Sequence, residues 1–275
     1  MPASMRDKVL ILGGTGEAMA LAKQLAGLPE ISVVTSLAGR TRDPALPPGE
    51  VRVGGFGGAA GLAAYLKENA ISLLINATHP FAATISANAL AAHQQTGVPL
   101  LRLLRPAWRK LPDDTWIKAP SINGAAAICR WLGKRVLLSV GSQDIAAFAD
   151  LPRAHFFVRM VDPPEAPLPL VSSEAIVAKG PFALADERRL LLEKEIDLIV
   201  TKNSGGDATF GKIAASRELH IPVVMIDRPE IALHPGCDVV ETAAAAFDWV
   251  SAHFRTQMLR RLRTGDRNAT SGDTA

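Results

Sequence analysis

Lys8-Val9-Leu10-Ile11-Leu12-Gly13-Gly14-Thr15-Gly16-Glu17-Ala18 reads as a short apolar strand, a glycine turn and the opening of a helix. The helical pattern runs on through Leu21, Ala22 and Leu25 and stops at Gly27 and Pro29. A strand that passes through a tight turn into a helix is the first unit of an open parallel sheet. At such a turn the backbone N–H groups and the positive end of the helix dipole converge, and both favour a phosphate. The spacing is imperfect for a dinucleotide turn, because reading G-x-G from Gly14 puts Met19 where the third glycine would stand. Gly13, Gly14, Thr15, Gly16 and Glu17 are the expected pyrophosphate contacts.

The same alternation continues downstream. Strands read at Ile31 to Leu37, Val51 to Val53, Leu73 to Ala77 and Leu100 to Leu104. After Pro106 the pattern changes to a Trp-containing segment, Thr115 to Ala119, and a small-residue helix from Asn123 to Leu132. A second series follows at Val136 to Val140, His155 to Val161, Ala175 to Ala178, Leu198 to Thr201 and Val223 to Ile226, with helices at Leu184 to Glu195 and Lys212 to Leu219. Both halves end alike, in Arg105-Pro106 and Arg228-Pro229, each followed by a strand-like triplet and an Ala-rich helix, a weak internal repeat. The expected fold is α/β, two Rossmann-like open parallel-sheet domains in tandem. A cofactor domain is expected over residues 1–133, a second completing a substrate cleft over 134–254, and a flexible tail over 255–275.

A chain of 275 residues suits two domains, and 48% hydrophobic with only 5% aromatic residues suits close-packed helix and sheet layers. The formal net charge of +3 is spread along the chain, which favours a small anionic ligand over nucleic acid. Cys129 and Cys237 form no CxxC pair and stand near no metal-ligand cluster, so no metal is expected. No apolar run is long enough to span a bilayer and no leader is evident, so the expected address is the cytoplasm, without a membrane partner.

The second strand sharpens the cofactor. It ends Thr35-Ser36-Leu37-Ala38-Gly39-Arg40-Thr41-Arg42, with no acid before Asp43. A ribose-binding carboxylate is therefore missing, and a basic end suits the 2′-phosphate of NADPH, with Ser36, Arg40 and Thr41 near it. Gly55 and Thr78 stand at the carboxyl ends of the third and fourth strands, the edge where open sheets bind ligands. His79 and Lys202 are the candidate proton donors. Thr201-Lys202-Asn203-Ser204-Gly205-Gly206 ends another central strand; it lacks the spacing of a phosphate-hydrolysing loop and leaves a cluster of donors for a carboxylate or cofactor amide.

Taken in order, ILGGTGEA (11–18), TSLAGRT (35–41), NATHPFA (76–82), LLRPAW (103–108), TKNSGG (201–206) and GKIAASRELHIPVVMIDRP (211–229) resemble the precorrin-6A reductases of cobalamin biosynthesis, over residues 8 to 250. Asn76 departs from the Asp expected in many members. The resemblance implies NADPH-dependent reduction of one double bond in precorrin-6A to give precorrin-6B, or the same step on the cobalt-containing macrocycle, with hand-over to neighbouring pathway enzymes. Precorrins carry acetate and propionate arms, so Arg102, Arg105, Lys179, Lys202, Lys212 and Arg228 are the cations expected to receive them, beside His79, Asn203, Ser204, Gly205 and Gly206. A non-catalytic NADPH-binding regulator is the alternative of another class. A short-chain dehydrogenase would need Tyr-x-x-x-Lys, and the sole tyrosine, Tyr65, is followed by Asn69.

Overall fold

The computed structural model of the chain describes residues 6–39, 45–230 and 237–269, with side chains described as far as Leu259. The chain first lays down β1 (Asp7–Leu12), β2 (Ile31–Leu37), β3 (Glu50–Val53), β4 (Ile71–Asn76) and β5 (Leu100–Leu103). It then crosses to a second sheet for β6 (Trp116–Ala119), β7 (Arg135–Ser139), β8 (His155–Met160), β9 (Ser173–Val177), β10 (Leu198–Lys202) and β11 (Val223–Ile226), and returns to the first for β12 (Cys237–Val240). The orders are β12-β5-β4-β1-β2-β3 and β6-β11-β10-β7-β8-β9, parallel throughout. Each is the 3-2-1-4-5-6 order of a dinucleotide-binding sheet, with its sixth strand supplied by the other half of the chain.

Helices cover both faces of each sheet, as parallel strands require. On the first sheet, α1 (Gly16–Leu25) and α7 (Ala243–Ala269) pack one face, and α2 (Gly58–Glu68) and α3 (Ala83–Thr96) the other. On the second, α4 (Ile122–Leu132) and a 3₁₀ turn (Ser142–Phe148) oppose α5 (Leu184–Glu193) and α6 (Gly211–Glu218). The α1 stripe Ala18, Leu21, Ala22 and Leu25 is buried at helical spacing.

Two expectations are corrected. A boundary at residue 133 would leave β6 and α4 with the first sheet, whereas β6 pairs with β11; likewise β12 and α7 leave the second half to cover β5 and α1. Periodicity marks a strand but does not encode its neighbour. The pairing does make the internal repeat structural: Leu104 N–H donates to Val240 C=O at 2.8 Å, and Asp227 N–H donates to Ala119 C=O at 2.8 Å. The tail expected from residue 255 is helical through Ala269, an extension of the buried stripe Ala246, Val250 and Phe254 by residues of good helix propensity. Among the described residues, no helix is long and apolar enough to cross a membrane.

Lys212 lies on α6, 3% exposed. Its Nζ donates to Thr209 C=O at 2.8 Å and lies 5.0 Å from the Trp108 ring centre. Placement as a receiver of substrate arms is therefore corrected, because α6 seals it under Trp108. Burial first, then repulsion from Arg159, pushes its ammonium down to about 7, with Glu187 opposing.

Two outcomes follow from this packing. Ending the chain at residue 236 removes β12 and α7, and with them Val250 and Phe254, each contributing on the order of 1.5–3 kcal/mol of burial. That variant should lose its cooperative thermal transition; a retained transition of undiminished midpoint would contradict the packing. An unfolded lysine keeps its proton to about 10.5, so Lys212 makes stability rise as pH goes from about 7 to about 10.5. Lys212→Met should therefore raise the melting temperature more at pH 6 than at pH 10, measured by calorimetry.

Candidate active site

The glycine turn lies at the carboxyl end of β1, beside the crevice between β1 and β4 where the strand order reverses. Thr15 caps α1: its Oγ1 accepts from Ala18 N–H at 3.1 Å and donates to Ala77 C=O at 2.8 Å, joining the turn to the end of β4. Gly13 approaches β2 so closely that a Cβ would meet Thr35 Cγ2 at 2.9 Å. On Gly14 and Gly16 a Cβ would meet nothing within 4 Å. The turn is thus tight beneath and open above, beside the first turn of a ten-residue helix, and this geometry fits a pyrophosphate. A recess beside it is lined by Thr15, Glu17, Ala77, Thr78, Pro80 and Arg105.

Arg105 carries the first sheet's edge to the second. Its Nη1 donates to Glu17 Oε2 at 2.9 Å and its Nε to Ser204 C=O at 2.8 Å. Arg228 donates from Nε to Asn203 C=O (2.8 Å), from Nη1 to Arg105 C=O (2.8 Å), and from Nη2 to Pro106 C=O (3.1 Å) and Ser204 C=O (2.9 Å). Gly205 has φ of +67°, and a Cβ there would collide with the Pro106 carbonyl, so only glycine permits this approach. Trp108 completes the join: its backbone N–H donates to Asn203 Oδ1 at 2.8 Å, and its indole N–H to Gly206 C=O at 2.9 Å.

His79 and Lys202 meet across Phe81. Phe81 lies against the second sheet's core, 5.9 Å from the His79 ring centre, and Lys202 Nζ is 5.1 Å from its own. Lys202 donates to Asp144 Oδ2 at 2.6 Å. His79 Nδ1 accepts from Phe81 N–H at 3.2 Å, which leaves the proton of the neutral ring on Nε2. Burial, followed by the charges of Arg105, Lys202 and Arg228, lowers the His79 pKa to about 3. Asn76 supports this loop: its Oδ1 accepts from Thr78 Oγ1 at 2.8 Å and from Thr78 N–H at 3.2 Å, and its Nδ2 donates to Ser86 Oγ at 3.1 Å.

The fold therefore gathers Glu17, Thr78, His79, Arg105, Lys202, Asn203, Ser204, Gly205, Gly206 and Arg228 around one crevice. Ser36 and Gly55 sit apart, at the outer side of the first sheet, joined through Arg52. Arg40 and Thr41 lie outside the described residues. Arg102 is 5% exposed within β5, and burial lowers its pKa. Lys179 is exposed just past β9, the edge strand three places from β10, and meets no partner among the described residues. Sequence reasoning missed Phe81, Trp108, Asp144 and Arg52. Phe81 and Trp108 stood inside quoted motifs, whereas Asp144 and Arg52 carry no local signal.

The family description Precorrin-6x reductase CbiJ/CobK matches residues 8–251. Relatives named precorrin-6A reductase include one from Rhodococcus erythropolis, 48% identical over 243 residues, covering 88% of this chain and 97% of that protein. Another, from Sinorhizobium sp, is 48% identical over 239 residues, covering 86% and 92%. A solved structure described as CobK precorrin-6A reductase superposes with a TM-score of 0.84 at 42% identity, covering 90% of this chain and 97% of the other. Across its whole two-sheet body, and through the glycine turn and the crevice alike, the chain belongs to the precorrin-6x reductase family.

Proposed function

We propose that the chain reduces one double bond of precorrin-6A, giving precorrin-6B, with NADPH as reductant. The observation that carries this reading is the open glycine turn set beside a crevice ringed by Arg105, Lys202 and Arg228. One side suits a pyrophosphate and the other a polycarboxylate. NADPH, when bound, supplies a hydride. The chain's own residues bind and orient: N–H groups of Gly13 to Gly16 take the pyrophosphate, while Lys202 and Arg228 draw the acetate and propionate arms. Phe81 and Pro80 keep water from the reacting face.

His79 positions and does not titrate in this reading. With a pKa of about 3 it holds no transferable second proton near neutrality, so it offers Nε2–H as a neutral hydrogen-bond donor. The proton that accompanies hydride then comes from solvent or from a macrocycle nitrogen. Lys202 is held by Asp144 and serves as an anchor.

Incubation with NADPH and precorrin-6A should consume the two in equal amounts while the tetrapyrrole spectrum changes, with slower turnover of the cobalt-containing macrocycle. No oxidation of NADPH would overturn the reading. A histidine at about 3 in the folded chain and 6.5 when unfolded costs stability as pH falls through that window, because the unfolded chain binds the extra proton. Denaturant titrations should show the parent losing more stability than His79→Gln between pH 6.5 and pH 4, and parallel losses would contradict the buried neutral ring.

A further inference from the structure

We infer that Arg52 is the residue that selects a 2′-phosphorylated cofactor. The inference rests on the NADPH reading above and names the group that makes the choice. Arg52 projects from β3 at the carboxyl edge of the first sheet, next to Ser36 at the end of β2. A dinucleotide lying across this edge, with its pyrophosphate on the glycine turn, brings its adenosine ribose to the end of β2. Ser36 is buried there, and among the described residues no carboxylate is hydrogen-bonded to it.

The geometry of the guanidinium is fixed before any ligand arrives. Nη1 donates to Gly54 C=O at 2.7 Å and to Ser36 Oγ at 3.3 Å, and Nη2 donates to Gly55 C=O at 2.6 Å. The plane is seated 3.8 Å from the Phe56 ring centre, and Phe56 is braced edge-on by Tyr65 at 5.2 Å. A guanidinium has five N–H donors, so among the described residues the Nε–H and one Nη2 N–H are left. Those two form a fork of the width that two phosphate oxygens accept. Among the described residues Arg52 has only neutral hydrogen-bond partners, and Glu50 on the same strand is paired with Lys8 at 3.5 Å. There is also room: a Cβ on Gly54, Gly55, Gly57 or Gly58 would meet nothing within 4 Å. A charged, half-buried, pre-oriented fork beneath an open glycine surface is suited to one terminal phosphate and is unneeded by a ribose hydroxyl.

The test uses the full chain and isothermal titration with 2′,5′-ADP and 5′-AMP, which differ in the phosphate of interest and require no turnover. The parent should prefer 2′,5′-ADP. Arg52→Met should cut that preference on the order of 10- to 100-fold, and Arg52→Lys, which keeps the charge without the fork, should fall between. A parent that does not distinguish the two ligands would overturn the NADPH reading and this inference together. A parent that distinguishes them, with both variants distinguishing them equally well, would overturn Arg52 alone. Equal weakening of both ligands in folded variants, checked by circular dichroism, would assign Arg52 to holding the Gly54–Gly55 turn and likewise overturn it.

Discussion

The Arg228 guanidinium, spread over the carbonyls of Arg105, Pro106, Asn203 and Ser204, is the interaction on which the rest of the molecule depends. It binds the two places where the chain changes sheets, since Arg105-Pro106 leads out of β5 and Arg228 itself leads out of β11. Backbone carbonyls at such crossings have no ladder partner and would carry a desolvation cost if left bare. One planar cation satisfies two of them, on Arg105 and Pro106, together with two in the loop after β10, on Asn203 and Ser204. The loop 203–206 is thereby fixed against Trp108, and Arg105 is aimed at Glu17 beside the cofactor turn.

That arrangement also sets the electrostatics of the crevice. Arg105 is offset by Glu17 and Lys202 by Asp144, whereas among the described residues Arg228 has only neutral carbonyl partners. Its charge meets no carboxylate among the described residues, so its field extends into the crevice, and burial and its neighbours Arg105 and Arg102 strain its ionised form. His79 registers the same field in its lowered pKa. The site is therefore ready for anions without offering a free guanidinium fork on Arg228, and the arms of a polycarboxylate would meet long-range attraction before specific contact.

Much of the fold was legible because its signals are local. Apolar runs, the glycine turn after Leu12 and the loops after Asn76 and Lys202 each mark a strand end within a few residues, and β2 and β11 lie where the pattern puts them. The exchanged strands were not legible as exchanged. The triplets Trp116-Ile117-Lys118 and Val239-Val240-Glu241 read as strand-like, but which sheet accepts β6 and β12 depends on edges completed far away in sequence. The candidate site divides in the same way. Residues following β4, β5, β10 and β11 come together at the crevice, while Lys212 does not, because a lysine on a helix gives no sign that Trp108 will close over it. Arg52 and Asp144 were missed because their roles arise only when β2 and β3, or Gly141 and Lys202, are brought side by side.

Reciprocal strand exchange has a consequence for how the protein is made. Cys237 pairs with Leu100, a contact closing roughly 140 residues of chain, and such distant pairings slow folding. Domains emerging from a ribosome ordinarily fold in turn, the N-terminal one first. Here the first sheet lacks its last strand, and α1 lacks its covering helix, until the second sheet has already been synthesised. The N-terminal half must wait, with the edge of β5 unpaired, and reaches its finished form only after β12 and α7 have followed the second sheet out of the ribosome.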